Sequence, residues 1–192
     1  MKKHTQLTLA LALAAGALFA GGCATTSAHY IDSTGANTVV SLNKINIQDF
    51  YQASDDMVAD ILGSGVLERA PSQPAIMKVT AFKNATTTNF EMSMLTQKVT
   101  ASLMRTGKVS VVSEDQATNA YAGKQAFVSG KTIKGPYYTL SGKIIEDRAS
   151  AGSIRQTSYI FQLNLATIND GLNVWQGEKT ITKQGSKAPV GG

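Results

Sequence analysis

Few residues in this sequence have the side-chain types needed for covalent or acid–base catalysis. Cys23 is the only cysteine among 192 residues, and both histidines, His4 and His29, precede residue 30. The chain after residue 30 therefore lacks the side chains for a Ser-His-Asp or Cys-His catalytic site and for the commonest zinc sites. We expect no catalytic residue, no metal site and no cofactor.

Three pairs of adjacent carboxylates are the remaining candidates for acid–base chemistry. They are Asp55–Asp56, Glu114–Asp115 and Glu146–Asp147. Neighbouring side chains point in different directions on a helix and to opposite faces of a strand, so none of these pairs is arranged for joint proton transfer. We interpret all three pairs as solvated surface or helix-start residues, which favours a protein that is not an enzyme.

The residues before Cys23 have the layout of a secretory signal. Lys2 and Lys3 give a positive start, and an uncharged apolar run follows from Leu7 to Ala20. This run is shorter than the roughly 20 apolar residues that cross a membrane as a helix. We therefore predict a signal segment at residues 1–22 rather than a permanent membrane helix.

The single thiol follows three small residues, since Ala20, Gly21 and Gly22 stand directly before Cys23. This ending resembles the lipobox of bacterial lipoproteins, in which the cysteine is lipidated and the segment before it is removed, although leucine is commoner where Ala20 stands. The resemblance implies a lipid anchor on Cys23, and Ala24 in place of an aspartate implies sorting to the outer membrane. The alternative is an ordinary signal segment with an incidental cysteine.

The length that remains after the signal segment suits one domain. We predict a short tether at residues 23–45, a single globular domain at residues 46–185 and a disordered tail at residues 186–192. Within the tether, Thr38–Ile47 has the weak alternation of a peripheral strand or of an arm laid on the domain. Without the signal segment, which holds two lysines and no acid, the formal charge falls from +5 to +3. That charge is too small to predict a nucleic-acid partner.

Apolar residues at helical spacing predict two helices. The first begins near Asp49 and ends with Gly63 as its C-terminal glycine cap. The second follows a Thr88–Glu91 capping box and closes at Gly107. Its predicted apolar stripe consists of Phe90, Met94, Leu95, Val99 and Leu103.

Alternation and turn residues predict a sheet. Strands at Ala75–Phe82 and Lys108–Ser113 flank the second helix and make a βαβ-like unit, and residues 114–127 are predicted as a polar helix. Three long strands then form an antiparallel meander, whose middle strand turns Tyr159, Phe161, Leu163 and Leu165 to one buried face. The fold class is α/β (α+β), with an antiparallel or mixed sheet of four to five strands flanked by helices. The long strands are predicted at Tyr138–Arg148, Ile154–Ile168 and Val174–Lys183.

The run from Pro74 to Ser113 resembles the LpoB family, outer-membrane lipoproteins that activate peptidoglycan synthases. Asn84 and Thr86 fill the family's Asn-x-Thr loop after a strand, and Gly107 follows the leucine-rich helix end. The first predicted helix and the closing hairpin, with its turn at residues 169–171, also resemble the family. The likeness spans residues 46–185, and it rests on the order and spacing of these motifs together with the lipobox.

The resemblance implies a non-catalytic lipoprotein of the outer membrane, facing the periplasm, that binds and activates a class A penicillin-binding protein. Asn84 and Thr86 are candidate partner-binding residues, although the residue types favour the alternative that their side chains bond the loop and the start of the helix. Arg148 and Arg155 flank the turn at residues 149–153 and are further candidates, with solvated charges as the alternative.

The sequence departs from the LpoB family pattern at two places, and a second family offers an alternative function. Ala85 stands where the family commonly has arginine. The tether of about 25 residues lacks proline, and a flexible chain of that length averages only about 30 Å from end to end. The same architecture also resembles CsgG secretion lipoproteins, so an accessory of outer-membrane assembly or secretion is the alternative function.

Overall fold

The computed structural model describes residues 30–112, apart from 34, 37 and 43, and residues 135–186. Contacts divide the chain into residues 1–32 and residues 33–192, and every helix and strand described here lies in the second part. The predicted signal segment, the lipid anchor on Cys23 and the helix at residues 114–127 lie outside the described residues.

A mixed sheet of six strands confirms the predicted fold class, with one or two strands more than expected. The strands follow the spatial order β3-β1-β4-β5-β6, and the short β2 lies beside β4. Strand β1 runs parallel to β3 and β4, whereas β4, β5 and β6 form the predicted antiparallel meander. The strands are β1 (Ala75–Val79), β2 (Lys83–Ala85), β3 (Val109–Val112), β4 (Tyr138–Ala151), β5 (Ile154–Thr167) and β6 (Asn173–Ser186).

The additional strand and the end of the sheet show where the sequence pattern was too weak to predict structure. All three residues of β2 are exposed, so no alternation marks this strand. Ser186, predicted as the first residue of a disordered tail, pairs with Ile154 as the last residue of β6. Polar side chains do not prevent strand pairing when a long neighbouring strand supplies the backbone partners.

The first helix, α1 (Ile47–Gly63), begins slightly earlier and is capped differently from the prediction. The Asn46 backbone N–H donates to Asp49 Oδ2 at 2.7 Å, so Asp49 stabilises the start of the helix from its first turn. Gly63 is the last helical residue, and the glycine in the left-handed conformation is Gly65, with φ of 69°. The predicted cap at Gly63 is therefore wrong by two residues.

The second helix, α2 (Met92–Arg105), confirms the βαβ unit and corrects its start. Glu91 is the N-cap, and its Oε1 accepts from the Ser93 N–H at 3.2 Å. The predicted Thr88–Glu91 capping box is wrong because Thr88 belongs to a separate hydrogen-bonded loop. Met94 is 44% exposed and does not belong to the buried stripe. Gly107 closes the helix as predicted, with φ of 70°.

Both helices contribute to the core that covers one face of the sheet. Phe50 of α1 meets Phe161 of β5 edge to face, with ring centroids 6.2 Å apart. The predicted middle-strand face is confirmed, since all four of its side chains are buried. Within the described residues, no helix is long and apolar enough to cross a membrane.

Candidate functional site

The loop that contains Asn84 and Thr86 is held together by its own hydrogen bonds. Asn84 Nδ2 donates to the Thr88 carbonyl at 2.8 Å. Asn84 Oδ1 accepts from the Thr86 N–H at 3.0 Å and from the Thr86 hydroxyl at 2.8 Å. These contacts form a side-chain-supported turn of the kind that Asn and Thr favour. Both candidate residues therefore shape the loop, whose outer surface stays exposed.

A carboxylate from β4 fixes this loop to the sheet. Glu146 Oε2 accepts from the Thr87 N–H and from the Thr87 hydroxyl, both at 2.9 Å. The other oxygen, Oε1, pairs with Arg148 Nε, and Arg148 Nη2 donates to the Thr87 hydroxyl at 2.8 Å. The Glu146 side chain is only 3% exposed, so its hydrogen-bonding capacity is used inside the protein. The loop is thus ordered by a charged group beneath it.

The protonation of Glu146 reflects two opposing effects. Burial by itself would raise the pKa of Glu146, but the bonds from Thr87 and Arg148 outweigh burial and hold the pKa below its ordinary value of 4.5. Burial also raises the pKa of the neighbouring Tyr159, and the negative charge of Glu146 adds to that rise. The site at neutral pH consequently contains a carboxylate and a neutral phenol.

Strand register brings the two candidate arginines onto one face. Arg148 of β4 lies opposite Thr157 of β5, which in turn lies opposite Lys183 of β6. The next row on the same face pairs Ser150 with Arg155. Residues opposite each other in an antiparallel sheet point to the same side. Arg148, Arg155 and Lys183 therefore place three cations on one end of the sheet.

A cleft of about 460 Å³ opens over this end of the sheet. Among the residues that the structure describes, no acidic side chain lines the cleft and the Arg155 guanidinium has no hydrogen-bond or ion-pair partner, whereas Arg148 is paired with Glu146. The arrangement suits an acidic or hydrogen-bonding segment of another protein. Residues on its walls include Leu42, Arg148, Ser150, Arg155, Thr157 and Ser186.

The structure brings three of the four predicted partner-binding residues into one network. Thr87 links the Asn84–Thr86 turn to Arg148, whereas Arg155 shares only the cleft with Arg148. Glu146 was predicted to be a solvated surface residue, and its burial corrects that expectation. The sequence did contain a signal for this burial. Glu146 is two residues after the apolar Ile144, and alternate residues of a strand lie on the same face. No comparable pattern indicated Thr87.

Comparison with known families decides the class of this protein. The family model described as peptidoglycan-synthase activator LpoB matches residues 49–181, more than half of the chain. The chain belongs to the LpoB family. This membership confirms the resemblance carried by the strand–loop–helix–strand run from Pro74 to Ser113, and it places the protein among regulatory activators of peptidoglycan synthases.

Solved structures of LpoB proteins are similar to this member of the family. The C-terminal domain of Salmonella enterica LpoB is 16% identical, with 69% of this chain and 98% of that chain covered and a TM-score of 0.47. The Escherichia coli C-terminal domain is 17% identical, with the same coverage and TM-score. The solution structure of E. coli LpoB is 16% identical, covers 86% of each chain and has a TM-score of 0.44. The comparison with curated protein sequences found no match.

The described residues supply binding groups rather than a metal centre. No three His, Cys, Asp or Glu side chains within residues 30–112 and 135–186, apart from 34, 37 and 43, are grouped so that they could hold a metal ion. The charged groups that the fold brings together near the predicted partner-binding residues include the Glu146 network and the arginine-lined cleft beside it.

Proposed function

We propose that this protein is a non-catalytic lipoprotein that binds a class A penicillin-binding protein and raises its peptidoglycan synthesis. Family membership supplies the class of activity. The observation that carries the binding site is the cleft beside the Asn84–Thr88 loop, in which Arg148 is paired with Glu146 but Arg155 has no acidic partner among the described residues. An acidic surface of the synthase would complete the charges that the cleft leaves open.

The ordered loop favours binding at low entropic cost. Hydrogen bonds donated by Asn84 and Thr86 within the loop, and by Thr87 to Glu146, already hold the loop in one conformation, so a partner does not have to order it. Activation also requires a difference in affinity, because a ligand shifts a conformational equilibrium only if it binds one state more tightly. A tenfold shift towards the active synthase needs about 1.4 kcal/mol of such a difference.

The proposed location is the periplasmic side of the outer membrane, where a lipid on the Cys23 thiol anchors the chain. Residues 23–32 would then form the tether ahead of Ser33, whose carbonyl accepts from Gln48 Nε2 of α1. At full extension about 10 residues span roughly 35 Å, and a flexible chain of that length averages about 17 Å. The synthase itself must therefore cover most of the distance between it and the cleft lined by Arg148 and Arg155, which we name the docking cleft.

Affinity capture from solubilised envelopes tests the partner. The tagged, lipidated protein should recover a class A penicillin-binding protein, and the Cys23→Ala protein should recover less of it because it is not held at the membrane. Each recovered synthase is then purified and assayed for glycan polymerisation with and without the protein. Recovery of secretion or assembly components with no synthase would contradict the proposal and support the CsgG-like alternative.

A further inference from the structure

A buried lysine on the last strand binds the segment that precedes α1. The Lys183 side chain is 7% exposed, and its Nζ donates to the Lys44 carbonyl at 2.8 Å and to the Ser41 carbonyl at 3.3 Å. The same Nζ donates to Asn46 Oδ1 at 3.2 Å and pairs with the Asp49 carboxylate. The partners of this buried cation thus come from α1, from its N-cap Asn46 and from residues 38–45, which we name the arm.

The arm is tied to the start of α1 by a second set of bonds. Asn46 Nδ2 donates to the Val39 carbonyl at 2.7 Å, and Asn46 Oδ1 accepts from the Ser41 N–H at 3.4 Å. The Asp49 carboxylate, which pairs with Lys183, also accepts from the Asn46 N–H. The contacts that cap the helix are therefore the contacts that hold the arm, and Lys183 connects both to β6.

The arm forms one wall of the docking cleft. Leu42 lines the cleft together with Arg148 and Arg155. A Cβ on Gly185 would lie 3.4 Å from Leu42 Cδ2, so the leucine packs against the end of β6. Lys183, two residues earlier, lies opposite Thr157 in the floor of the same cleft. Leu42 thus lies between Ser41 and Lys44, whose carbonyls both accept from Lys183 Nζ.

We propose that Lys183 is a positioning residue that holds the arm as a wall of the docking cleft and fixes where the tether leaves the domain. The role in docking rests on the proposed function. Release of the arm would remove Leu42 from the cleft and, once the exposed bond from Gln48 Nε2 to the Ser33 carbonyl also opens, add eight residues to the tether, or about 28 Å at full extension. The lysine therefore sets both the shape of the binding surface and the length of chain available for reach.

Trypsin cleavage after Lys44 reports the position of the arm directly, because the scissile carbonyl is the one bonded to Lys183 Nζ. In Lys183→Met we expect a fragment that begins at Ile45 to appear at least about tenfold faster, since cleavage follows the population of the opened segment. Lys179→Met is the matched control. It removes a cation from the same strand, whose ion pair with Asp56 is exposed, and it should leave the cleavage rate unchanged.

A double variant separates release of the arm from loss of stability. Lys183→Met alone leaves the Asp49 carboxylate buried without its cation, whereas Lys183→Met with Asp49→Asn removes both charges and keeps an oxygen that can accept from the Asn46 N–H. Cleavage after Lys44 should remain fast in the double variant. Protection equal to that of the unmodified protein, in either variant, would overturn the proposal.

Binding to a purified class A penicillin-binding protein tests the role in docking. Both Lys183 variants should bind at least about fivefold more weakly than Lys179→Met. Equal affinity with a released arm would overturn the positioning role. If the unmodified protein binds no synthase, the proposed function fails instead, and the trypsin comparison still decides whether Lys183 holds the arm.

Discussion

Replacing Glu146 with glutamine tests whether the carboxylate beneath the Asn84–Thr88 loop organises the candidate site. The substitution keeps the shape of the side chain but removes its charge and one acceptor oxygen. In the native protein that carboxylate accepts two bonds from Thr87 and one from Arg148. The glutamine amide would instead direct a donor towards Thr87 or Arg148, which both donate in the native arrangement.

The expected loss of stability follows from the exposure of each partner. A hydrogen bond to a charged group contributes about 1.5–3 kcal/mol, and the two Thr87 bonds converge on a carboxylate that is almost fully buried. The Arg148 side chain is 50% exposed, so its pairing with Glu146 is screened and contributes at most about 1 kcal/mol. With one acceptor oxygen retained, Glu146→Gln should lower the free energy of unfolding by about 2 kcal/mol.

Urea denaturation followed by the fluorescence of Trp175, the only tryptophan, measures this change. The control is Glu178→Gln, because Glu178 is an exposed acceptor for Gln162 and its replacement should cost no more than about 0.5 kcal/mol. Hydrogen exchange at the Thr87 amide should accelerate in Glu146→Gln alone. A free energy of unfolding within 0.5 kcal/mol of the unmodified protein would refute the organising role of the buried carboxylate.

Two further predictions concern pH and packing. Because the folded pKa of Glu146 lies below its ordinary value of 4.5, its stabilisation is present above that pH and is lost as pH falls through the folded pKa; urea midpoints from pH 6 to pH 3 should decline less steeply in Glu146→Gln, and equal slopes would contradict this. Gly142→Ala should destabilise by about 1–3 kcal/mol, because the new Cβ would lie 2.7 Å from Leu163 and 2.9 Å from the Phe82 ring. Gly63→Ala, with no atom within 4 Å of the new Cβ, should instead stabilise by up to about 1 kcal/mol in thermal unfolding. A similar loss in both glycine variants would contradict the packing explanation.

The parts of the fold that the sequence predicts are those in which one strong pattern acts over many residues. The four alternating large side chains of β5 require a buried face, and the turn at residues 169–171 joins β5 to an antiparallel partner. Gly107 ends α2 because a short loop must reverse direction into β3. Periodicity and turn chemistry are local, so they survive without knowledge of the tertiary structure.

The parts that the sequence does not predict depend on contacts between distant segments. Thr88 has the spacing of a helix cap, but its hydroxyl lies 3.3 Å from the Thr86 hydroxyl and its carbonyl accepts from Asn84, so Glu91 caps the helix instead. Glu146 is buried because Thr87, 59 residues earlier, meets it across the sheet. Lys183 is buried because the arm supplies carbonyl acceptors from more than 130 residues away. Tertiary hydrogen bonds of this kind leave no periodic pattern in the sequence.

The most direct test of the proposed function is the glycan polymerisation rate of a purified class A penicillin-binding protein with the protein added. We predict that the unmodified protein raises this rate and that Arg155→Glu loses most of the increase, because the reversed charge faces the docking cleft. Lys143→Glu, an equal reversal on the opposite face of β4, should activate like the unmodified protein. Equal activation by both variants would contradict docking through the cleft, and no activation by the unmodified protein would contradict the account as a whole.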